Sequence, residues 1–150
     1  MNRKSQLYII AGVVAAIAVI FASTSIIIAP KVPSVKFVAF TPDSKQTIKE
    51  DQIIPVSFRV HNSEQRDIDN ARVTTTQKGD SRFFAIDKPD FTITPTIGAK
   101  EGESGTQTIM IKGINLGTQP AIEDTFTINL YVGIELADSR EIAVRLEPNM

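Results

Sequence analysis

His61 is the only histidine in this chain of 150 residues. A hydrolytic site would need it as a base beside a Ser or Thr nucleophile and an orienting carboxylate. The alternation in IPVSFRVH puts it on a polar strand face with Ser57 and Arg59, and no Gly-x-Ser-x-Gly turn occurs, so it reads as an exposed structural side chain. Carboxylates are the other candidates. Glu64, Asp67, Asp69 and Asn70 crowd the stretch NSEQRDIDN, and Glu101 with Glu103 crowd a second loop. Calcium takes about six to eight converging oxygens. Here there is no DxDxDG series and no glycine at the required bend, while Arg66 and Arg72 stand by as ion-pair partners. These acids read as solvated turn residues. Acid pairs for glycosidic cleavage lack a sugar platform, since the chain has no Trp and only Tyr8 and Tyr131.

Other chemistries fall to composition. With no cysteine, thiol redox chemistry, Cys₄ zinc sites, iron–sulfur clusters and disulfide staples are excluded. Neither GxGxxG nor GxxxxGK[ST] occurs, so no glycine-rich loop cradles a nucleotide. Arg3 and Lys4 account for two of the 16 basic residues, which leaves 14 against 17 acidic ones from Pro30 onward, a balance of −3. That is no footprint for a phosphate backbone. The expectation is a chain with no catalytic residue, metal, cofactor, small-molecule substrate or nucleic-acid partner.

Binding is the remaining option. The loop GINLGTQPAIED (113–124) is long for a hairpin and mixes glycine and amides with apolar residues. Ile114, Asn115, Leu116, Gln119 and Ile122 are its candidate partner contacts, because loops at a sandwich end commonly carry binding. The alternative is that the same residues plug the open end. In Phe83-Phe84, neighbouring strand residues face opposite ways, so one ring is expected to point outward unless it is covered.

The elements that would position these residues are strands. Val56, Phe58 and Val60 alternate with Ser57, Arg59 and His61, and DTFTINLYV and REIAVRLEP repeat the period. Further strands are expected at VKFVAF (35–40), ARVTTTQ (71–77), SRFFAI (81–86), DFTIT (90–94) and TQTIMIK (106–112). Turn signals separate them, among them Lys78-Gly79-Asp80, Glu101-Gly102-Glu103-Ser104-Gly105 and Ala137-Asp138-Ser139. Seven or eight short strands over residues 35–150 imply an all-β antiparallel sandwich.

Ahead of it, residues 7–29 form a run of 23 without a charge. As a helix that run would be ~34 Å long, enough to cross a bilayer. A secretory apolar region is shorter, and cutting after Ala22-Ser23-Thr24 would leave the greasy start Ser25-Ile26-Ile27-Ile28. A permanent signal anchor is therefore expected, with residues 1–6 as a short basic tail and 30–34, flanked by Pro30 and Pro33, as a stalk. Positive charge on the two flanks is nearly even. The Thr-rich strands and missing thiols favour an exported C-terminal domain.

Two resemblances bear on this reading. The strand pair PDFTITP and SGTQTIMIKG, joined through TIGAKEGES, and the late strand DTFTINLYV look like the immunoglobulin-like domains of membrane-anchored prokaryotic, in particular archaeal, envelope proteins. That likeness implies a sandwich that adheres, spaces or docks in the cell envelope, on a protein partner or on itself. The start Arg3-Lys4-Ser5-Gln6 resembles the processing signal of archaeal type IV pilin-like proteins, with Ser5 where those have Gly or Ala. It implies a cut between Ser5 and Gln6 and a pilin-like or archaellum stator-type subunit assembling through its helix. A third possibility is an accessory subunit of a membrane complex, packed through Ala11, Ala15, Ala18 or Ala22.

Overall fold

The computed structural model describes residues 34–150; the expected anchor at 7–29 and the Ser5–Gln6 bond lie outside the described residues. The described residues form ten strands: β1 (Val35–Thr41), β2 (Gln46–Lys49), β3 (Ile53–Asn62), β4 (Ala71–Gln77), β5 (Phe84–Ile86), β6 (Asp90–Thr92), β7 (Gly102–Glu103), β8 (Gln107–Gly113), β9 (Ile122–Val132) and β10 (Glu135–Glu147). One sheet has the order β1-β3-β8-β5, with β7 continuing the β3 edge past β8. The other has the order β2-β10-β9-β4-β6.

The inward residues are those the period of two selects. Val56, Phe58 and Val60 of β3, Ile109 and Ile111 of β8, Phe126, Ile128 and Leu130 of β9, and Ile142, Val144 and Leu146 of β10 are all buried. Phe37 packs edge-on against Phe58 at 4.8 Å, and Phe84 against Phe126 at 5.1 Å, geometries that aromatic quadrupoles favour.

The chain runs between the two ends of the sandwich. At the entry end lie Ser34, the segments 62–71 and 93–101, and the β9–β10 hairpin tip. At the far end lie the β2–β3 turn, the loop 114–121 and the C-terminus. This follows from the pairing: β1 opens at Val35 opposite Asn62, the last residue of β3, while Ile53 at the start of β3 faces Lys112.

Several sequence expectations need correction. SRFFAI is not one strand: Ser81–Phe83 is a single 3₁₀ turn, capped by the Asp80 carboxylate on the Arg82 N–H, and the strand begins at Phe84. Phe84 is buried and Phe83 is packed against the core, so neither ring is fully presented to solvent. Ala137-Asp138-Ser139 is no turn but a bulge inside β10; the reversal occurs at Gly133-Ile134. PDFTITP and SGTQTIMIKG do not pair, since β6 belongs to one sheet and β8 to the other. The sandwich is also not wholly antiparallel, because β2 runs parallel to β10 from Val144↔Gln46 to Glu147↔Lys49. β2 and β7, with four and two residues, are too short to show a period.

Candidate interaction surface

The outer face of the β1-β3-β8-β5 sheet divides into two halves. Towards the entry end it is charged. Arg59 Nε donates to Glu103 Oε2 at 2.8 Å, and His61 Nε2 lies 2.6 Å from Glu101 Oε2. Ser57 and Thr108 hydroxyls meet at 3.1 Å where the halves join. Towards the far end the face turns apolar. Pro55 stands directly opposite Met110, and Ile53 lies on the adjoining diagonal, opposite Lys112. Ile53 is 51% exposed and Met110 is 45% exposed. Ile114, two residues on from Lys112, is exposed as well. Among these apolar side chains the Lys112 ammonium pairs with Asp51 at 3.2 Å. Solitary exposed hydrophobics are ordinary on any protein; a cluster on one sheet face is a candidate contact surface.

The predicted loop adjoins this patch, and the structure sorts its five residues. Ile114 is held by its N–H on the Phe83 carbonyl at 2.8 Å, and its side chain is presented outward. Asn115 is exposed, and its Oδ1 accepts from the Gly117 N–H at 2.5 Å. That bond fixes the bend, where Gly117 adopts φ +61°, a left-handed value glycine takes without strain. Gln119 is exposed, with its N–H on the Leu116 carbonyl at 3.1 Å. Leu116 and Ile122 go the other way. Leu116 is 3% exposed, with its N–H on Glu50 Oε1 at 2.7 Å, and Ile122 is the first residue of β9, half-buried against the core. These two plug the sandwich, and three of the five remain on the surface.

Met110 and Ile53 were missed by sequence reasoning, though a signal existed. In TQTIMIK, Met110 takes a position the alternation reserves for polar residues, and in DQIIPV one isoleucine of two must face outward.

The entry end is held by polar contacts. Asn62 is wholly buried; its Nδ2 donates to the carbonyls of Arg66 at 2.9 Å, Gly98 at 3.0 Å and Ile97 at 3.3 Å, and its Oδ1 accepts from the Glu64 N–H at 2.9 Å. Ile68 and Ile97 exchange backbone hydrogen bonds at 2.8 and 2.9 Å. A side chain at Gly102 would come within 2.1 Å of the Gly98 carbonyl, so only glycine fits there. Ser104 Oγ accepts from the Val60 N–H at 2.9 Å. The loop TIGAKEGES is thus a brace against β3.

The acids weighed for calcium serve this architecture. Asp67 Oδ1 accepts from the Ala99 N–H, Glu64 from Ser34 Oγ and Arg66 Nε, and Glu101 meets His61. Among the described residues no group of three His, Asp or Glu is arranged to hold a metal ion. On the other sheet, the Arg72 guanidinium forks onto Asp90 and holds its carboxyl below the usual aspartate range, and Lys45 with Arg145 does the same for Glu123.

No protein-family model matches the sequence, and no curated protein does. Similarity is found among solved structures. The periplasmic chaperone SfaE is 17% identical with a TM-score of 0.50, over 77% of this chain and 57% of that one. A PapD-like domain of human CEP192 is 9% identical with a TM-score of 0.48, over 81% and 89%. The chaperone YadV is 18% identical with a TM-score of 0.46, over 78% and 53%. The chain thus spans a little over half the length of the two chaperones. With the strand orders above, the likeness to SfaE gives the fold of the described residues: an immunoglobulin-like β-sandwich.

Proposed function

We propose that the chain is a single-pass membrane protein of the cell envelope whose immunoglobulin-like domain binds another protein and carries out no chemistry. Residues 7–29 are the anchor, 30–34 the stalk, and the sandwich of residues 35–150 lies outside the cytoplasm. The observation that carries the binding role is the apolar patch of Ile53, Pro55, Met110 and Ile114, beside the exposed Asn115 and Gln119. It lies at the end of the sandwich farthest from the point where the chain enters, which is where a tethered domain would meet something above the membrane. The uncharged run of 23 residues supports the anchor.

A photo-crosslinking amino acid at position 110 or 114, activated in native membranes, tests this reading. The expected product is one discrete adduct with a second envelope protein, or a doubled mass if the partner is another copy. Absence of any adduct from both positions would remove the binding role. An intact mass beginning at Met1 in the same membranes is expected for an anchor; a mass beginning at Gln6 would favour pilin-like assembly instead.

A further inference from the structure

Exposed large hydrophobic side chains in the described residues fall into two groups. Ile53, Met110, Ile114 and the C-terminal Met150 lie towards the far end. The other group is the tip of the β9–β10 hairpin, where Ile134 is 97% exposed and Leu136 is 55% exposed. The two residues between Val132 and Glu135 are Gly133, at φ +62°, and Ile134, which is not left-handed. That is the pattern of a tight turn with glycine first, whose second position is freely solvated and ordinarily polar. Nothing in the turn geometry asks for isoleucine. Leu136 pairs with Tyr131 across the ribbon, so an aromatic with one polar end, half-exposed, stands just behind the two aliphatic side chains.

The position of this tip is informative. The Phe37 N–H donates to Asp138 Oδ2 at 3.0 Å, tying β1 to β10. Both strands run from the entry end. Ser34 lies three residues back from that tie along β1, and Ile134 four residues back along β10. At a strand rise of ~3.3 Å per residue, these are roughly 10 Å and 13 Å, so the tip stands about level with the point where the chain enters. Between Ala29, the last residue of the uncharged run, and β1 there are only residues 30–34. Fully extended, five residues reach at most ~18 Å.

We infer that the hairpin tip is seated in the headgroup region of the bilayer that holds residues 7–29, with Ile134 and Leu136 among the upper acyl chains and Tyr131 at the interface. This rests on the anchor reading above. Aliphatic residues beneath an amphipathic aromatic suit that boundary. Charge at this end is mainly acidic, with Glu64, Asp67, Asp69, Glu101 and Glu135 against Arg66 and Lys100, so the contact is apolar and owes nothing to anionic lipid. The tip is then a second point of attachment for the sandwich besides the stalk.

The test uses the full chain in phosphatidylcholine vesicles with bromine on the upper acyl carbons. The protein has no Trp, so Tyr131→Trp is the sole indole reporter and leaves Ile134 and Leu136 in place. Roughly twofold quenching relative to unbrominated vesicles is expected, against none for Gln119→Trp at the far end. Replacing Ile134 and Leu136 with Ser should abolish it. Retention of the chain in vesicles through an alkaline wash reports the anchor separately. A retained chain whose Tyr131→Trp is unquenched overturns the seated tip and leaves the anchor standing; a chain that washes off overturns both. A blue shift without bromine quenching that grows with protein density means a second copy covers the tip, and that too overturns the inference.

Discussion

At the entry end, Asn62 is buried among three carbonyls and Gly102 presses on Gly98; at the far end, Leu116 fills the opening from above while Ile53, Met110 and Ile114 remain in water. The first end closes with the directional bonds of Asn62 around the buried Ile68 and Ile97, and its large exposed apolar side chains are confined to the hairpin tip. The second closes on the buried aliphatic Leu116, whose N–H is held by Glu50, and leaves Ile53, Met110 and Ile114 exposed. A buried polar group is costly to leave unpaired, so it enforces a single loop arrangement; surplus apolar surface is available to a partner. The two ends of the sandwich thus differ in what closes them: a buried polar latch at one, an aliphatic plug beside exposed apolar residues at the other.

The greatest effect that would test this contrast comes from the polar latch. Asn62→Ala strands the Arg66 and Gly98 carbonyls and the Glu64 N–H, and should cost about 3–4 kcal/mol, each orphaned group contributing ~1 kcal/mol or more. Urea unfolding of the full chain in nanodiscs, followed by circular dichroism, measures it. Leu116→Ala should cost less, about 2–3 kcal/mol, because it removes apolar contacts and strands no buried polar group. Equal losses from the two variants would erase the distinction between the ends.

Ile53→Ser and Met110→Ser sharpen the contrast from the other side. Each should move stability by no more than ~0.5 kcal/mol, as outward-facing residues do. Yield of the cross-linked adduct from position 114 should nonetheless fall about tenfold or more if these residues anchor the contact. The smallest effect is electrostatic. The Asp90 carboxyl is depressed by the hydrogen bonds from Arg72, so its contribution is present above the ordinary aspartate pKa of 3.8 and disappears as pH falls through the folded value. Asp90→Asn should therefore lower the melting temperature slightly at pH 7 in low salt. The gap should close in strong acid and shrink in high salt, since the pair is exposed.

Much of the framework was legible in the residues, because alternation over six or more positions is a physical requirement of a half-buried strand. β3, β4, β8 and β9 fall where that period places them. What escaped had no period to show. β2 has four residues and acquires its place only by lying parallel to the end of β10, a contact about a hundred positions away in the chain. Ser81–Phe83 reads as strand by composition, yet the Asp80 carboxylate on the Arg82 N–H turns it into a cap. The Gly133-Ile134 reversal was hidden because Ala137-Asp138-Ser139, four residues later, carries stronger turn composition and is spent on a bulge. For the candidate surface, the loop was visible as an oddity of length and content. Its inward members, Leu116 and Ile122, could be told from its outward ones only with the core in place.

The pairing of β1 also has a mechanical consequence. If the chain is held by a membrane at its N-terminal side and a partner grips the far end of the Ile53–Met110 face, tension enters at Ser34 and leaves through β3 and β8. β1 is antiparallel to β3 and enters at the end where β3 finishes, so that pull runs along the strands and across their hydrogen bonds. Bonds loaded in shear resist together, whereas bonds pulled open from one end yield in turn. The aromatic contacts Phe37–Phe58 and Phe40–Phe58 lie under the same pair of strands and would have to slide past one another before it could part. The first strand is therefore placed to act as the domain's tensile fastening.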